Sequence, residues 1–266
     1  LVNTAFTTSG LQNSETVGDV ILASSGTANT TNVGSYDITA NVATNGTFNI
    51  NNYNVNYANG TLTVTPADIT VAANDQSRTY GAANSSSGNV TLTGGTLYNG
   101  DTLSTADMAS NATATSNVGN YSLVASNQTF SAGLTSNYNI TYTDGVLAVT
   151  PANLTITANS TSTQYGLGTT LVNTAFTTSG LQNSETVGDV ILASAGTANT
   201  SNAGSYNITA TGAANGTFSA SNYNISYVNG TLTVTPANIT VAANDQSRTY
   251  GAANPTSGNV SLTGGT

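Results

Sequence analysis

The chain has no cysteine and no histidine, and its only cations are Arg78 and Arg248. Without cysteine there is no disulfide framework. Without cysteine, histidine or lysine the commonest nucleophiles, general bases and transition-metal ligands are missing, so no enzyme is expected and no catalytic, cofactor-binding or metal residue is assigned. The absence of lysine also removes Lys–Asn isopeptide cross-links. Two arginines against eleven acidic residues leave a net charge of −9 and no basic face, which excludes nucleic acid and anionic membrane surfaces as partners. Within these 266 residues there is neither a signal peptide nor a long apolar run, and no membrane insertion is expected of them. Charged residues make up only 5% of the chain, and asparagine, threonine and serine cover the exposed faces instead. With 38% apolar residues at strand spacing, the composition is wrong for disorder. A chain free of cysteine suits a protein that crosses export machinery unfolded and folds without oxidation, so the expected location is extracellular, at a cell surface.

What is present keeps a beat. Pro66, Pro151 and Pro236 stand 85 residues apart, as do Tyr80-Gly81, Tyr165-Gly166 and Tyr250-Gly251, and Gly34, Gly119 and Gly204. A fixed period fixes the architecture before any local reading, and this one suits a small domain rather than a solenoid rung. Leu1 to Gly10 recurs as Leu171 to Gly180, so two related repeat types, A and B, alternate. Residues 1–96 and 171–266 differ at 17 of 96 positions, so the informative comparison is A against the more diverged B. Twelve of the thirteen tyrosines keep the period, and Tyr98 alone lacks a counterpart. Such rings, with one hydroxyl each to satisfy, suit the core of a small domain. Phe48 and Phe218 lie five residues before their tyrosine and Phe130 eight, a length change that places a turn on each side of a Phe-bearing strand.

The local pattern is all-β. Apolar residues alternate with asparagine through Asn52 to Tyr57, Asn59-Gly60 follows, and Leu62 and Val64 then alternate with threonines up to Pro66. Two alternating runs joined by Asn-Gly predict a β-hairpin with a type I′ turn, and Asp144-Gly145 and Asn229-Gly230 repeat the signal. Further strands are expected at 69–73, 77–81, 89–93, 101–108, 120–125 and 129–132. Seven or eight short strands per period predict an immunoglobulin-like β-sandwich and no helix.

Proline ends the last strand of each repeat. The expected domains are 1–66 (type A, opening strands missing), 67–151 (type B), 152–236 (type A) and 237–266 (the opening strands of a further type B repeat). Linkers of two residues are too short to flex, so the domains should stack as an elongated, semi-rigid rod advancing roughly 35–40 Å per repeat. The partial repeats at the ends have two explanations. Either the chain is a window on a longer repeat protein, or the tail of one copy donates strands to the head of the next. Donation would duplicate eleven residues, which favours the window.

Candidate chemistry is sparse. Glu15 and Glu185 are one position in successive A repeats, which argues against paired carboxylates. Asp19, Asp101, Asp107 and Asp144 are isolated, without the convergent oxygens a calcium site needs. Asp75 and Arg78 occur together in B repeats and give way together to Ser160 and Thr163 in the complete A repeat, the pattern of an ion pair across a turn near a domain junction.

Three segments carry a resemblance: Arg248-Thr249-Tyr250-Gly251-Ala252-Ala253-Asn254-Pro255, the step Val33-Gly34-Ser35-Tyr36 with its partner Val118-Gly119-Asn120-Tyr121, and Asn222-Tyr223-Asn224-Ile225-Ser226-Tyr227 through Val234. In this order they resemble the MBG/YDG-type tandem repeats of large secreted bacterial adhesins, filamentous-haemagglutinin-like surface proteins. The resemblance implies a stalk or spacer in adhesion or biofilm matrix, with neighbouring repeats as its partners. Two alternatives stand beside it: repeats that bind a glycan through exposed tyrosine and asparagine, with Tyr98 the first candidate, and a filament of several copies held by strand exchange.

Overall fold

A computed structural model describes residues 1–254, 256 and 260–264, the last five by backbone alone. Threonine, valine, isoleucine and leucine in alternation favour pleated, half-buried strands. Among the described residues the helical segments are four single 3-10 turns. The strands of residues 1–66 are β1 (Val17–Ala23), β2 (Gly34–Gly46) and β3 (Gly60–Val64). Those of 67–151 are β4 (Ala67–Ala73), β5 (Gln76–Thr79), β6 (Ser87–Gly95), β7 (Thr102–Leu103), β8 (Thr105–Ala109), β9 (Gly119–Ser126), β10 (Phe130–Ala132), β11 (Tyr138–Thr143) and β12 (Gly145–Thr150). Residues 152–236 form β13 (Ala152–Ala158), β14 (Thr161–Gln164), β15 (Phe176–Ser179), β16 (Val187–Ala193), β17 (Gly204–Gly216), β18 (Tyr223–Val228) and β19 (Gly230–Thr235). β20 (Thr240–Ala243) and β21 (Val260–Gly264) follow. These tandem β-sandwich repeats fall into two compact units. One comprises Leu1–Gln76, Asn84–Asn111 and Asn120–Leu147, the other Ser77–Ala83, Ala112–Gly119 and Ala148–Thr266.

In the second unit, repeat 3 (residues 152–236) has two sheets, ordered β15-β13-β18 and β14-β19-β17-β16. β13 runs antiparallel to β15, with Ala158 opposite Phe176, and parallel to β18, with Ala152 opposite Tyr223. β13 packs over β17, and Leu154, Ile156, Ile208 and Leu232 are fully buried. β14 then joins the other sheet, parallel to β19.

The chain thus changes sheets after β13, and it changes again at Asn229, between β18 and β19. This corrects the hairpin expectation. β18 pairs with β13 while β19 pairs with β17 and β14, so the two alternating runs are not partners. Nor do Gly145 and Gly230 have positive φ. Glycine is needed there for close approach: a Cβ on Gly230 would stand 2.5 Å from the Ala158 carbonyl oxygen, and one on Gly145 would strike the Ala73 carbonyl. Beside this corner Ser160 Oγ accepts the Thr231 N–H at 3.0 Å, and in repeat 2 (67–151) Asp75 Oδ1 accepts the Val146 N–H at 2.8 Å.

In the first unit, β11-β4-β6-β8-β9 run side by side in repeat 2. β4 is parallel to β11 and antiparallel to β6. Ile69, Val71 and Tyr138 form its core, with Leu92, Leu103 and Phe130 packed against them. Repeat 1 (1–66) has the sheet β1-β2-β3. Residues 5–9 and 53–59, which match β15 and β18 in sequence, are not strands. In the later repeats a first strand lies between these two segments and supplies both with hydrogen-bond partners; residues 1–66 have no such strand. The Phe-bearing strand is likewise confined to repeat 2, where Phe130 pairs with Leu103; Phe48 and Phe218 lie in irregular backbone.

Candidate functional site: the joint between consecutive repeats

In the second unit the turn Ala220–Asn222 ends on Tyr223, the first residue of β18. That turn buries Asn222 to 1% exposure. Asn222 Oδ1 accepts the Val118 N–H at 2.9 Å, and its Nδ2 donates to Asn117 Oδ1 at 3.0 Å. The Tyr223 hydroxyl accepts the Gln182 N–H at 2.9 Å and donates to Glu185 Oε2. The other carboxylate oxygen, Oε1, accepts the Tyr80 hydroxyl at 2.6 Å, and the two rings meet edge to face with centroids 5.6 Å apart. Tyr80 is fixed by its own N–H, which donates to the Thr150 carbonyl at 2.8 Å. Residues 80 and 117–118 of repeat 2 are therefore bound to 185 and 222–223 of repeat 3.

The first unit contains the same joint, set back by 85 residues. Asn137 Oδ1 accepts the Val33 N–H at 3.0 Å, and Asn137 Nδ2 donates to Asn32 Oδ1 at 2.9 Å. Asn99 Nδ2 donates to the Asn29 carbonyl at 3.1 Å, as Asn183 Nδ2 does to the Ala114 carbonyl. The Tyr138 hydroxyl accepts the Tyr98 N–H at 2.9 Å and donates to Asp101 Oδ2 at 2.7 Å. Asp101 accepts the tyrosine hydroxyl of its own B repeat as Glu185 does in the A repeat, one position out of step, while the link from Glu185 back to Tyr80 is found in the second unit.

The profile of one repeat family matches the chain three times, at residues 2–63, 69–148 and 154–233. The chain belongs to the MBG domain (YGX type) family. No curated protein matches it. The Tyr-Gly pair of the YGX label includes Tyr80, so in this MBG array the namesake tyrosine of one repeat reaches the carboxylate of the next.

The phenols of the MBG joints are held in their neutral form. Burial, reinforced by the hydrogen bond to Glu185, pushes the Tyr223 hydroxyl up to about 12. Burial and then Glu185 raise Tyr80, burial and the Asp101 hydrogen bond raise Tyr138, and the Glu15 hydrogen bond raises Tyr53.

The isolated aspartates each meet a neighbour's donor. Asp19 accepts from Asn45, Asp107 from Asn127 and Asp144 from Ser122. No group of three metal-ligating side chains occurs among the described residues. Asp75 and Arg78 go to different partners: Asp75 takes the Val146 N–H, and the buried Arg78 guanidinium donates to the carbonyls of Thr79 and Thr113. The joint exchange with Ser160 and Thr163 thus preserves two separate backbone caps, since Ser160 accepts the Thr231 N–H and Thr163 Oγ1 donates to the Gly168 carbonyl.

The tyrosines fill recurrent roles more than recurrent depths. Tyr36 and Tyr206 donate to the carbonyl four residues upstream, at 2.7 and 2.9 Å. Tyr57, Tyr142 and Tyr227 accept a backbone N–H fourteen residues upstream. Tyr80, Tyr138 and Tyr223 are buried, whereas Tyr57, Tyr98, Tyr165 and Tyr250 are exposed. Asn137 and Asn222, which make the joints, escaped sequence reasoning because asparagine is everywhere in this chain. Their signal was the recurrence of asparagine immediately before the tyrosine at 53, 138 and 223.

Proposed function

We propose that this MBG array is a non-enzymatic stalk or spacer of a large extracellular bacterial surface adhesin or fibre, whose repeats carry load and project whatever lies beyond them. The observation that carries this reading is the duplicated asparagine joint: Asn137 binds repeat 2 to Val33 and Asn32 of repeat 1, and Asn222 binds repeat 3 to Val118 and Asn117 of repeat 2. A ligand-binding repeat would hold its aromatic groups free for the ligand. Here the hydroxyls of Tyr36, Tyr53, Tyr57, Tyr80, Tyr138, Tyr142, Tyr206, Tyr223 and Tyr227 are engaged inside the chain. No helix among the described residues is long and apolar enough to cross a membrane. The test is small-angle scattering on chains of two, four and six repeats. The maximum dimension should grow linearly, by roughly 35–40 Å per repeat. A dimension growing only as the cube root of length would mean that the array collapses, and the spacer reading would be lost.

A further inference from the structure

The turn that carries Glu185 differs between the two repeat types at its first residue. In repeat 3 the turn is residues 182–185, closed by the Glu185 N–H to the Gln182 carbonyl at 2.9 Å; in repeat 2 it is residues 98–101, closed by the Asp101 N–H to the Tyr98 carbonyl at 2.9 Å. Positive φ at Asn183 and Ser184 matches that at Asn99 and Gly100. In both turns the first residue donates its N–H to the tyrosine hydroxyl of its own repeat, and the second donates its side-chain amide to a carbonyl of the preceding repeat. In both the last residue accepts the tyrosine hydroxyl. Tyr98 is therefore the type B counterpart of Gln182. The offset of one comes from Thr96, which stands between Gly95 and Leu97 where Gly180 and Leu181 are adjacent.

In the second unit the Gln182 side chain lies on Gly81, the glycine of the Tyr-Gly pair in repeat 2. A Cβ on Gly81 would stand 2.7 Å from both Cβ and Cγ of Gln182, closer than such atoms approach. Gly81 is held with φ at 86°, its N–H donating to the Ala114 carbonyl at 3.2 Å, and Asn183 Nδ2 reaches the same carbonyl at 3.4 Å. Gln182 Nε2 folds back to the Gly180 carbonyl at 3.0 Å. Gln12 of repeat 1 makes the same bond to Gly10 and the same backbone bond to the Tyr53 hydroxyl, so the pose belongs to the type A turn itself. A tyrosine has no amide to fold back in this way, and beyond Cγ it continues as a rigid ring in the space that Gly81 leaves for a bent glutamine.

We infer that residues 182–185 are a recognition element that reads the type of the preceding repeat: Gln182 of a type A turn docks on the bare Cα of Gly81 in a type B repeat, and the tyrosine of a type B turn does not fit that seat. The alternation of types is thereby written into the joint, with a steric clash excluding the wrong neighbour as well as hydrogen bonds holding the right one. The inference rests on the stalk reading in taking consecutive repeats as joined, and it adds which type can follow which.

The experiment is unfolding of the 266-residue chain, by urea and by calorimetry, in two sets of variants. The first set is a cycle of Gly81→Ala, Gln182→Gly and the two together. Gly81→Ala should lower the urea midpoint, partly through its positive φ. On the Gln182→Gly background the same substitution should lower it by less than half as much, because the three atoms nearest the added methyl all belong to the Gln182 side chain. Equal losses on the two backgrounds would mean that Gly81 answers to its backbone conformation alone, and the seat would be lost. The second set places the type B residue in each type A turn. Gln182→Tyr should broaden or divide the calorimetric transition, whereas Gln12→Tyr, the same exchange where the glutamine is exposed, should leave it as in the wild type. A Gln182→Tyr chain as cooperative as the wild type, or a Gln12→Tyr chain altered equally, would overturn the proposal. Such a result would leave the stalk reading standing, since Asn222 and Glu185 would still join the repeats and the scattering dimension would still grow linearly.

Discussion

Asn222 and Asn52 are the same residue of the type A repeat in different company. Asn222 satisfies Val118 and Asn117 in a buried joint, while Asn52 is exposed. Asn222→Ala should therefore cost about 1–3 kcal/mol, the penalty of leaving the part-buried Val118 N–H without its acceptor, and Asn52→Ala should cost almost nothing. Urea unfolding of the two variants gives the comparison directly; equal midpoints would remove Asn222 from the joint. The phenol beside it predicts a pH dependence. The folded Tyr223 hydroxyl is pushed up to about 12, above the ordinary value of 10. Above pH 10 the unfolded chain loses this proton while the folded chain keeps it, so the unfolded state gains. Stability that is fully present below pH 10 should fall as pH rises toward 12, with Tyr80 and Tyr138 acting in the same direction. In Tyr223→Phe the denaturation midpoint should be lower at neutral pH and decline less between pH 10 and 12.

The strands Asn224 to Tyr227 and the irregular segment Asn54 to Tyr57 carry nearly the same letters, and only one of them is a strand. Alternation reports that a segment can lie on a half-buried pleated surface; it does not supply the neighbour whose main chain completes the ladder. That is why the all-β class, the strands near 69–73, 89–93 and 120–125 and the stop of a strand just before each of Pro66, Pro151 and Pro236 were legible, whereas strand partners were not. The Asn-Gly signal misled for a related reason. Glycine at 145 and 230 answers to a carbonyl brought up by the first strand, 72 residues earlier in the case of Ala158 and Gly230, and no local pattern reveals so distant a cause. The carboxylates were read as solitary because their partners are phenols, amides and hydroxyls rather than other charges: Glu185 bridges Tyr80 and Tyr223, while Asp19 and Asp107 meet asparagines and Asp144 a serine. The same corner yields a prediction in which one substitution has two outcomes. Gly230→Ala places a methyl against the Ala158 carbonyl and should destabilise repeat 3 by roughly 1–3 kcal/mol, in the range of overpacking. Gly60→Ala meets the Ile38 side chain at an ordinary van der Waals distance of 3.7 Å and should unfold at the wild-type midpoint. Equal effects of the two would mean that the first strand does not close over this glycine.

At the scale of the whole molecule, stability in a linear array divides into what each repeat contributes alone and what each joint adds. The joint between repeats 2 and 3 comprises the two side-chain bonds of Asn222, the carboxylate shared by Tyr80 and Tyr223, and one edge-to-face aromatic pair. Net hydrogen bonds contribute about 1 kcal/mol each and an aromatic pair about 0.5–1.5 kcal/mol, so the joint couples its two repeats by about 3–5 kcal/mol. Coupling of that size makes neighbouring repeats unfold together, a useful property in a tether because a single weak repeat does not open on its own. Tyr80→Phe with Asn222→Ala removes most of the polar part while leaving both sandwiches their apolar cores. The double variant should lose cooperativity, with a broader or divided thermal transition and a van't Hoff enthalpy below the calorimetric one. If the transition of the double variant stays as sharp as that of the wild type, the repeats are coupled through something other than these side chains.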